Sequence, residues 1–317
     1  MKRRTSFKKN AGAALALAFL SLTISCSDDN MPNVEPQQKT IAAIVSDNSS
    51  YSLLKSAVVK ADLAETLSGT GPFTVFAPNN EAFMASGITQ EAINSMAAAD
   101  LKDLLLYHTL TSKVTAANVP AGPNAEVTSA NGDKLYLTKD SRGVFVNGWK
   151  VTSADMAASN GVIHAVERVL MPPKGTIVQM AQANANLTYL VAAVLRASQG
   201  STNVAQVLSA EGNLTVFAPS NQAFIDAGFP TIASIQSADP DTLASILTYH
   251  VLAARAFSSD LSNGQSLTTV NGGTLMVALG SQATVKGNGN EMPSVITSFN
   301  MLATNGVIHL IDRVLLP

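Results

Sequence analysis

The stretch "TVFAPNNEAF", Thr74–Phe83, recurs as "TVFAPSNQAF", Thr215–Phe224, with eight of ten residues unchanged. A block kept twice is either a structural element that each of two domains requires or a reactive site used twice. The substitutions separate the two cases. Asn79 becomes Ser220, so a helix-capping side chain is kept. Glu81 becomes Gln222, so a carboxylate is exchanged for an amide. A reactive site has to keep its polar atoms, whereas a scaffold has to keep its apolar ones. The block therefore reads as scaffold: a short buried strand stopped by Pro78, then a helix capped by Asn79 and anchored by Phe83. Ser220 and Phe224 take the same roles in the second copy.

The duplication runs well beyond this block. "LKDLLLYHTL" (Leu101–Leu110) matches "LASILTYHVL" (Leu243–Leu252), and "SANGDKLYL" (Ser129–Leu137) matches "TVNGGTLMV" (Thr269–Val277). "NGVIHAVERVLMP" (Asn160–Pro172) matches "NGVIHLIDRVLLP" (Asn305–Pro317). Solenoid repeats recur every ~20–50 residues, so a period of about 140 means duplicated domains. We expect domains at residues 39–173 and 175–317, joined at Lys174–Gly175. Each copy opens with helical patterns: Ile41, Ile44 and Val45, then Leu53, Leu54, Ala57 and Val58, lie at helical spacing. Leu101, Leu104, Leu105 and His108 form one stripe at i, i+3, i+4 and i+7, and Leu243, Ile246, Leu247 and His250 repeat it. Each copy closes with β patterns. Asn131-Gly132 and Asn271-Gly272 mark hairpins, and the "NGVIH" runs read as central strands, apolar on nearly both faces.

Residues 1–25 read as an export leader. Lys2, Arg3, Arg4, Lys8 and Lys9 precede an apolar run, Ala11–Ile24, too short to span a bilayer. The single cysteine, Cys26, follows that run directly, as at a bacterial lipoprotein processing site where the Cys is lipidated. An ordinary secretory leader with an incidental Cys is the other reading. "SDD", Ser27–Asp29, resembles the surface-export signal of Bacteroidota lipoproteins, against periplasmic retention as the alternative. Residues 26–38, polar and carrying Pro32 and Pro36, read as a flexible tether. The expected location is the cell envelope: an outer-membrane lipoprotein exposed at the cell surface, held by lipid on Cys26.

Without the leader, 15 Lys and Arg face 22 Asp and Glu. That balance speaks against nucleic acid as a partner. All four histidines, His108, His164, His250 and His309, lie in the repeated blocks. None has a Cys, or a second His at i+2 to i+4, to complete a ligand set of recognisable spacing. They read as buried imidazoles bonded to backbone or hydroxyls, with metal, catalysis and a pH switch as the competing roles. No G-x-S-x-G elbow, phosphate loop or H-E-x-x-H motif is present. We therefore expect no metal, no cofactor and no catalytic residue.

Taken together, the "TVFAP-x-x-x-AF" block, the mid-domain Tyr-His and the closing "NG-V-I-H-x-x-x-x-V-L-x-P" resemble the fasciclin domain family, twice over and in order. The resemblance implies an α+β fold of two tandem domains, each a wedge of about seven strands with several helices packed on one side. It also implies adhesion to cells, matrix or glycans. A hydrolase acting on esters or polysaccharides, and an accessory subunit of an outer-membrane glycan-uptake complex, are the alternatives. Adhesion in animal relatives maps to the Tyr-His region and to an Asp-Ile step before the last strand. The resemblance thus nominates Tyr107, His108, Tyr249 and His250, together with Asp155 and Met156, where Met replaces Ile. The second copy has Asn300-Met301 at that place. One residue stands out on its own chemistry: Trp149, the only tryptophan, has no counterpart in the second copy. An exposed indole there could stack on a sugar or anchor a protein. A core position for the tyrosines, a turn carboxylate for Asp155 and an edge-strand aromatic for Trp149 are the competing readings.

Overall fold

The computed structural model describes residues 38–317. The expected leader, the lipidation site Cys26 and nearly all of the tether lie outside the described residues.

The first copy runs α1 (Ile41–Asp47), α2 (Ser52–Lys60), β1 (Phe73–Pro78), α3 (Asn80–Ala85), α4 (Gln90–Ser95) and α5 (Ala98–Tyr107). It continues with β2 (Thr109–Leu110), β3 (Gly122–Thr128), β4 (Lys134–Asp140), β5 (Gly143–Val146), β6 (Trp149–Ala158) and β7 (Gly161–Val166). The second repeats this order with one more helix before its first strand: α6 (Ile177–Gln182), α7 (Thr188–Ala197), α8 (Val204–Ser209), β8 (Leu214–Pro219), α9 (Asn221–Asp226), α10 (Ile232–Gln236) and α11 (Pro240–Tyr249). Its β half is β9 (Val251–Leu252), β10 (Ser266–Thr268), β11 (Thr274–Leu279), β12 (Ala283–Lys286), β13 (Ser294–Ala303) and β14 (Gly306–Ile311).

Each copy folds into a seven-stranded sheet, ordered β2-β1-β7-β6-β5-β4-β3 and, in mirror listing, β10-β11-β12-β13-β14-β8-β9. The repeated decapeptide supplies β1 and β8. Each runs parallel to the "NGVIH" strand, Val75 opposite Ile163 and Val216 opposite Ile308. The caps are as the sequence implies: Asn79 Oδ1 accepts from the Ala82 amide at 2.8 Å and Ser220 Oγ from the Ala223 amide at 3.2 Å. Phe83 and Phe224 are buried in the helical cores.

The Asn-Gly that opens each "NGVIH" run does more than turn the chain. Asn160 Oδ1 accepts from the Ile41 amide, and its Nδ2 donates to the carbonyls of Leu67 and Gly69. Asn305 makes the same three bonds, to Ile177, Leu208 and Ala210. One side chain thus ties the first helix of each domain to its central strand. The glycine beside it is obligatory for space: a Cβ at Gly161 would lie 2.1 Å from the Phe73 carbonyl oxygen, and one at Gly306 2.2 Å from that of Leu214. No side chain fits between strands that close.

The domains are joined by more than the linker. Phe257 of the second domain is fully buried in the sheet core of the first. Its ring centroid is 5.8 Å from that of Tyr136. Around it the Arg255 guanidinium sits over the Tyr136 ring at 4.1 Å. Asn124 Nδ2 donates to the Arg255 carbonyl and to Asp260 Oδ2, Ser258 Oγ donates to the Gly148 carbonyl, and Arg142 donates to the Ser259 carbonyl. Gly148, at φ 78°, lets the β5–β6 turn approach: a Cβ there would be 2.6 Å from both Asn300 and Phe257.

Candidate functional site

Four of the residues nominated for partner contact are inside the protein. Tyr107, His108, Tyr249 and His250 are at most 1% exposed. Each is fully engaged. The Tyr107 hydroxyl donates to the Lys134 carbonyl at 2.9 Å and accepts from Asn147 Nδ2 at 2.8 Å. Burial raises its pKa, so it stays a neutral phenol. Tyr249 donates to the Thr274 carbonyl and accepts from the Asn288 amide. His108 caps α5, with Nδ1 2.8 Å from the Leu104 carbonyl and Nε2 2.9 Å from the Leu170 amide. An amide must donate, so Nε2 accepts and Nδ1 carries the proton. His250 repeats this with Ile246 and Leu315. Burial lowers both imidazoles to about 4 against the backbone bond that opposes it. The expectation of partner contact at these four positions is corrected on this ground: they have no free surface and no free polar atom.

The second histidine of each copy has a different structural task. β6 bulges between Ser153 and Met156, and β13 between Ser298 and Met301. Asp155 and Asn300 sit at these bulges with φ of 58° and 60°, values that favour short polar side chains. His164 Nδ1 accepts from the Asp155 amide and its Nε2 donates to the Val114 carbonyl. His309 does the same with Asn300 and Ala256, and burial lowers it to about 4. Each imidazole holds the bulge against the loop that follows the short strand. Among the described residues no group of three or more His, Cys, Asp or Glu is placed to hold a metal ion.

Asp155 is exposed, and its Oδ1 accepts from the Ala116 amide at 2.9 Å; Met156 is half-buried beside Ile163. The equivalent Asn300 Oδ1 accepts from the Ser258 amide and is buried against the Gly148 turn. One bulge therefore faces solvent, and the other is part of the domain–domain contact.

Trp149 begins β6 and is half-buried. It lines a cleft of about 780 Å³ between the domains. Arg168, from the end of the β7 run, lies over the indole at 5.4 Å. Lys174 of the linker, Gln179 of α6, and Thr297 and Phe299 of the β13 bulge complete the walls. Neither Asp155 nor Met156 lines this cleft, so the structure separates them from Trp149. In the sequence Arg168 is only a cation just past the end of the "NGVIH" strand. Lys174 and Phe299 carried no signal, because the cleft exists only where the two copies meet.

The described residues thus form two tandem α+β domains with a concave cleft between the repeats. The fasciclin domain model matches residues 49–172 and 186–317, and the chain belongs to that family. It is similar to the transforming growth factor-beta-induced protein ig-h3 of Sus scrofa, 30% identical over 80% of this chain and 36% of that one. Human periostin is 29% identical over 80% of this chain and 29% of its own length. The Synechocystis protein sll1483 is 44% identical over 42% of this chain and 74% of that one. The chain therefore spans about a third of the two animal relatives. Among solved structures, a domain pair of the insect cell adhesion molecule fasciclin I covers 86% of this chain, at 19% identity and a TM-score of 0.42. Among the described residues no helix is long and apolar enough to cross a membrane.

Proposed function

We propose that the protein is a surface-anchored lipoprotein of the outer membrane. Lipid on Cys26 holds it, and its two fasciclin domains bind a protein or glycan at the cell surface. The observation that carries the binding half is the cleft at Trp149. It is concave and mixes aromatic with polar lining, and its volume lies within the range of ligand sites, about 300–1,000 Å³. The wedge of Phe257 into the first domain supports a fixed presentation of that cleft, because a preorganised site loses less entropy on binding. The leader and the "SDD" after Cys26 support the anchored half. Nothing in the surroundings of the four histidines favours a hydrolase, since every ring nitrogen already bonds to backbone.

Two measurements test the halves separately. Cys26→Ser is expected to move the protein from the membrane fraction to the soluble fraction; a variant that still pellets with membranes defeats the anchor. Trp149→Ala is expected to reduce retention on a panel of matrix proteins and glycans by roughly tenfold or more. Unchanged retention would remove the cleft from the proposal.

A further inference from the structure

We infer that the Trp149 cleft selects an acidic polysaccharide, one carrying carboxylates or sulfates on its sugar rings. The inference rests on the reading of this cleft as the binding site and adds the chemistry of its ligand. The described residues carry 19 acidic and 15 basic side chains, yet the cleft wall holds Arg168 and Lys174 and no carboxylate. Neither cation has a hydrogen bond or ion pair among the described residues; the two ion pairs there are Lys39–Asp47 and Arg142–Asp140. The neighbouring carboxylate, Glu167, is off the wall and accepts from the Lys150 amide at 2.8 Å. A guanidinium with its donors free on the wall of an open cleft suits a planar anion bound through two hydrogen bonds.

The rest of the wall suits a sugar. Trp149 offers an indole whose N–H has no partner among the described residues, and Phe299 adds a second aromatic across the cleft. Aromatic faces stack on the apolar faces of pyranose rings; Gln179 Nε2 can donate to a ring hydroxyl while its Oε1 accepts from the Thr176 amide, and Thr297 Oγ1 can accept while it donates to the Leu310 carbonyl. Arg168 packs over the indole, which fixes both groups and places charge beside the aromatic surface. The second copy does not repeat the site. Arg313 is the counterpart of Arg168, but Ser294 stands where Trp149 does, since each is the β6 or β13 residue paired across to Val146 or Val285. One site per chain follows.

Trp149 is the only tryptophan in 317 residues, so intrinsic fluorescence reports this cleft directly. The purified protein is titrated with polygalacturonate and its methyl ester, and with dextran sulfate and dextran. Each pair shares a backbone and differs in whether the anionic group is present, and the two pairs separate carboxylate from sulfate recognition. The expected result is a saturable change in fluorescence with an acidic polymer, at least about tenfold tighter than with its neutral partner. Binding should weaken as NaCl rises from about 0.05 to 0.5 M. Arg168→Gln and Lys174→Gln should each weaken it about five- to tenfold. Neither side chain has a hydrogen bond or ion pair among the described residues, and an unchanged melting temperature verifies that the variants are native. Equal binding of acidic and neutral polymers would overturn acidic selection and leave the cleft as a glycan site. No change with any polymer, in fluorescence or in calorimetry, would overturn the assignment of glycan binding to the cleft as well.

Discussion

Replacing Phe257 by alanine tests whether the two domains form one structural body. The ring is fully buried and belongs to the same apolar cluster as Tyr136, Leu135, Val146 and Val166 of the first domain. Removing a buried phenylalanine costs about 3–5 kcal/mol, from lost transfer energy and the cavity left behind. The polar bonds around it cannot compensate. Arg142, Asn124 and Ser258 reach their partners only while the ring holds the surfaces at bonding distance. With a urea m-value of about 3 kcal/mol/M, the midpoint should fall by about 1–1.7 M. The parent should unfold in one transition. In the variant, Trp149 fluorescence, which reads the first domain and the cleft, should separate from far-UV circular dichroism, which reads both domains. Phe257→Leu, which refills most of the volume, should lose less than about 2 kcal/mol. A Phe257→Ala protein whose midpoint moves by less than about 0.3 M, with coincident probes, would refute the wedge.

Acid should begin to weaken the fold above the carboxylate range. His108, His250 and His309 titrate near 4 in the folded state and near 6.5 when unfolded. Below about pH 6.5 the unfolded chain binds more protons, so stability falls until about pH 4, by up to about 3 kcal/mol per histidine. Urea midpoints measured between pH 7 and 4 should drop steadily; a flat profile would contradict the buried neutral imidazoles. Asn305→Ala removes three bonds, to Ile177 of α6 and to Leu208 and Ala210 at the end of α8, and should cost about 2–4 kcal/mol by denaturant unfolding. Gly306→Ala would press a methyl against the Leu214 carbonyl and should lower the melting temperature by more than about 10 °C; a calorimetric trace like that of the parent would show that the strands can part.

The elements inside each domain were readable because both copies must solve the same folding problem. Pro78 and Pro219 end their strands, Asn79 and Ser220 cap, and Phe83 and Phe224 anchor. The Tyr-His positions were equally legible as positions. The histidines read as buried imidazoles bonded to backbone or hydroxyls, and each ring bonds to backbone. What stayed hidden is the Nε2 partner, which comes from 62 residues away for His108 and 65 for His250, a distance that no helical stripe reveals. The stripe also misplaced the ring's role: His108 ends α5 as its cap and reaches back to the last turn.

What the repeats conceal is the contact between them, because that contact breaks their symmetry. One domain gives its loop and the other gives its sheet, so equivalent positions serve opposite purposes. Phe257 and Arg255 enter the first domain, whereas the matching loop there carries Thr115 and Lys113 on an open surface. The register makes this correspondence firm, since Val114 and Ala256 each bond the second histidine of their own domain. Tyr136 is buried under the incoming loop, while Met276, its counterpart, is 50% exposed. The two outer surfaces therefore do not carry the matching halves of the inner contact. The pair cannot extend by repeating its own joint, and the cleft beside Trp149 is formed once. The conserved decapeptide builds each domain, and the positions where the copies diverge build the site between them.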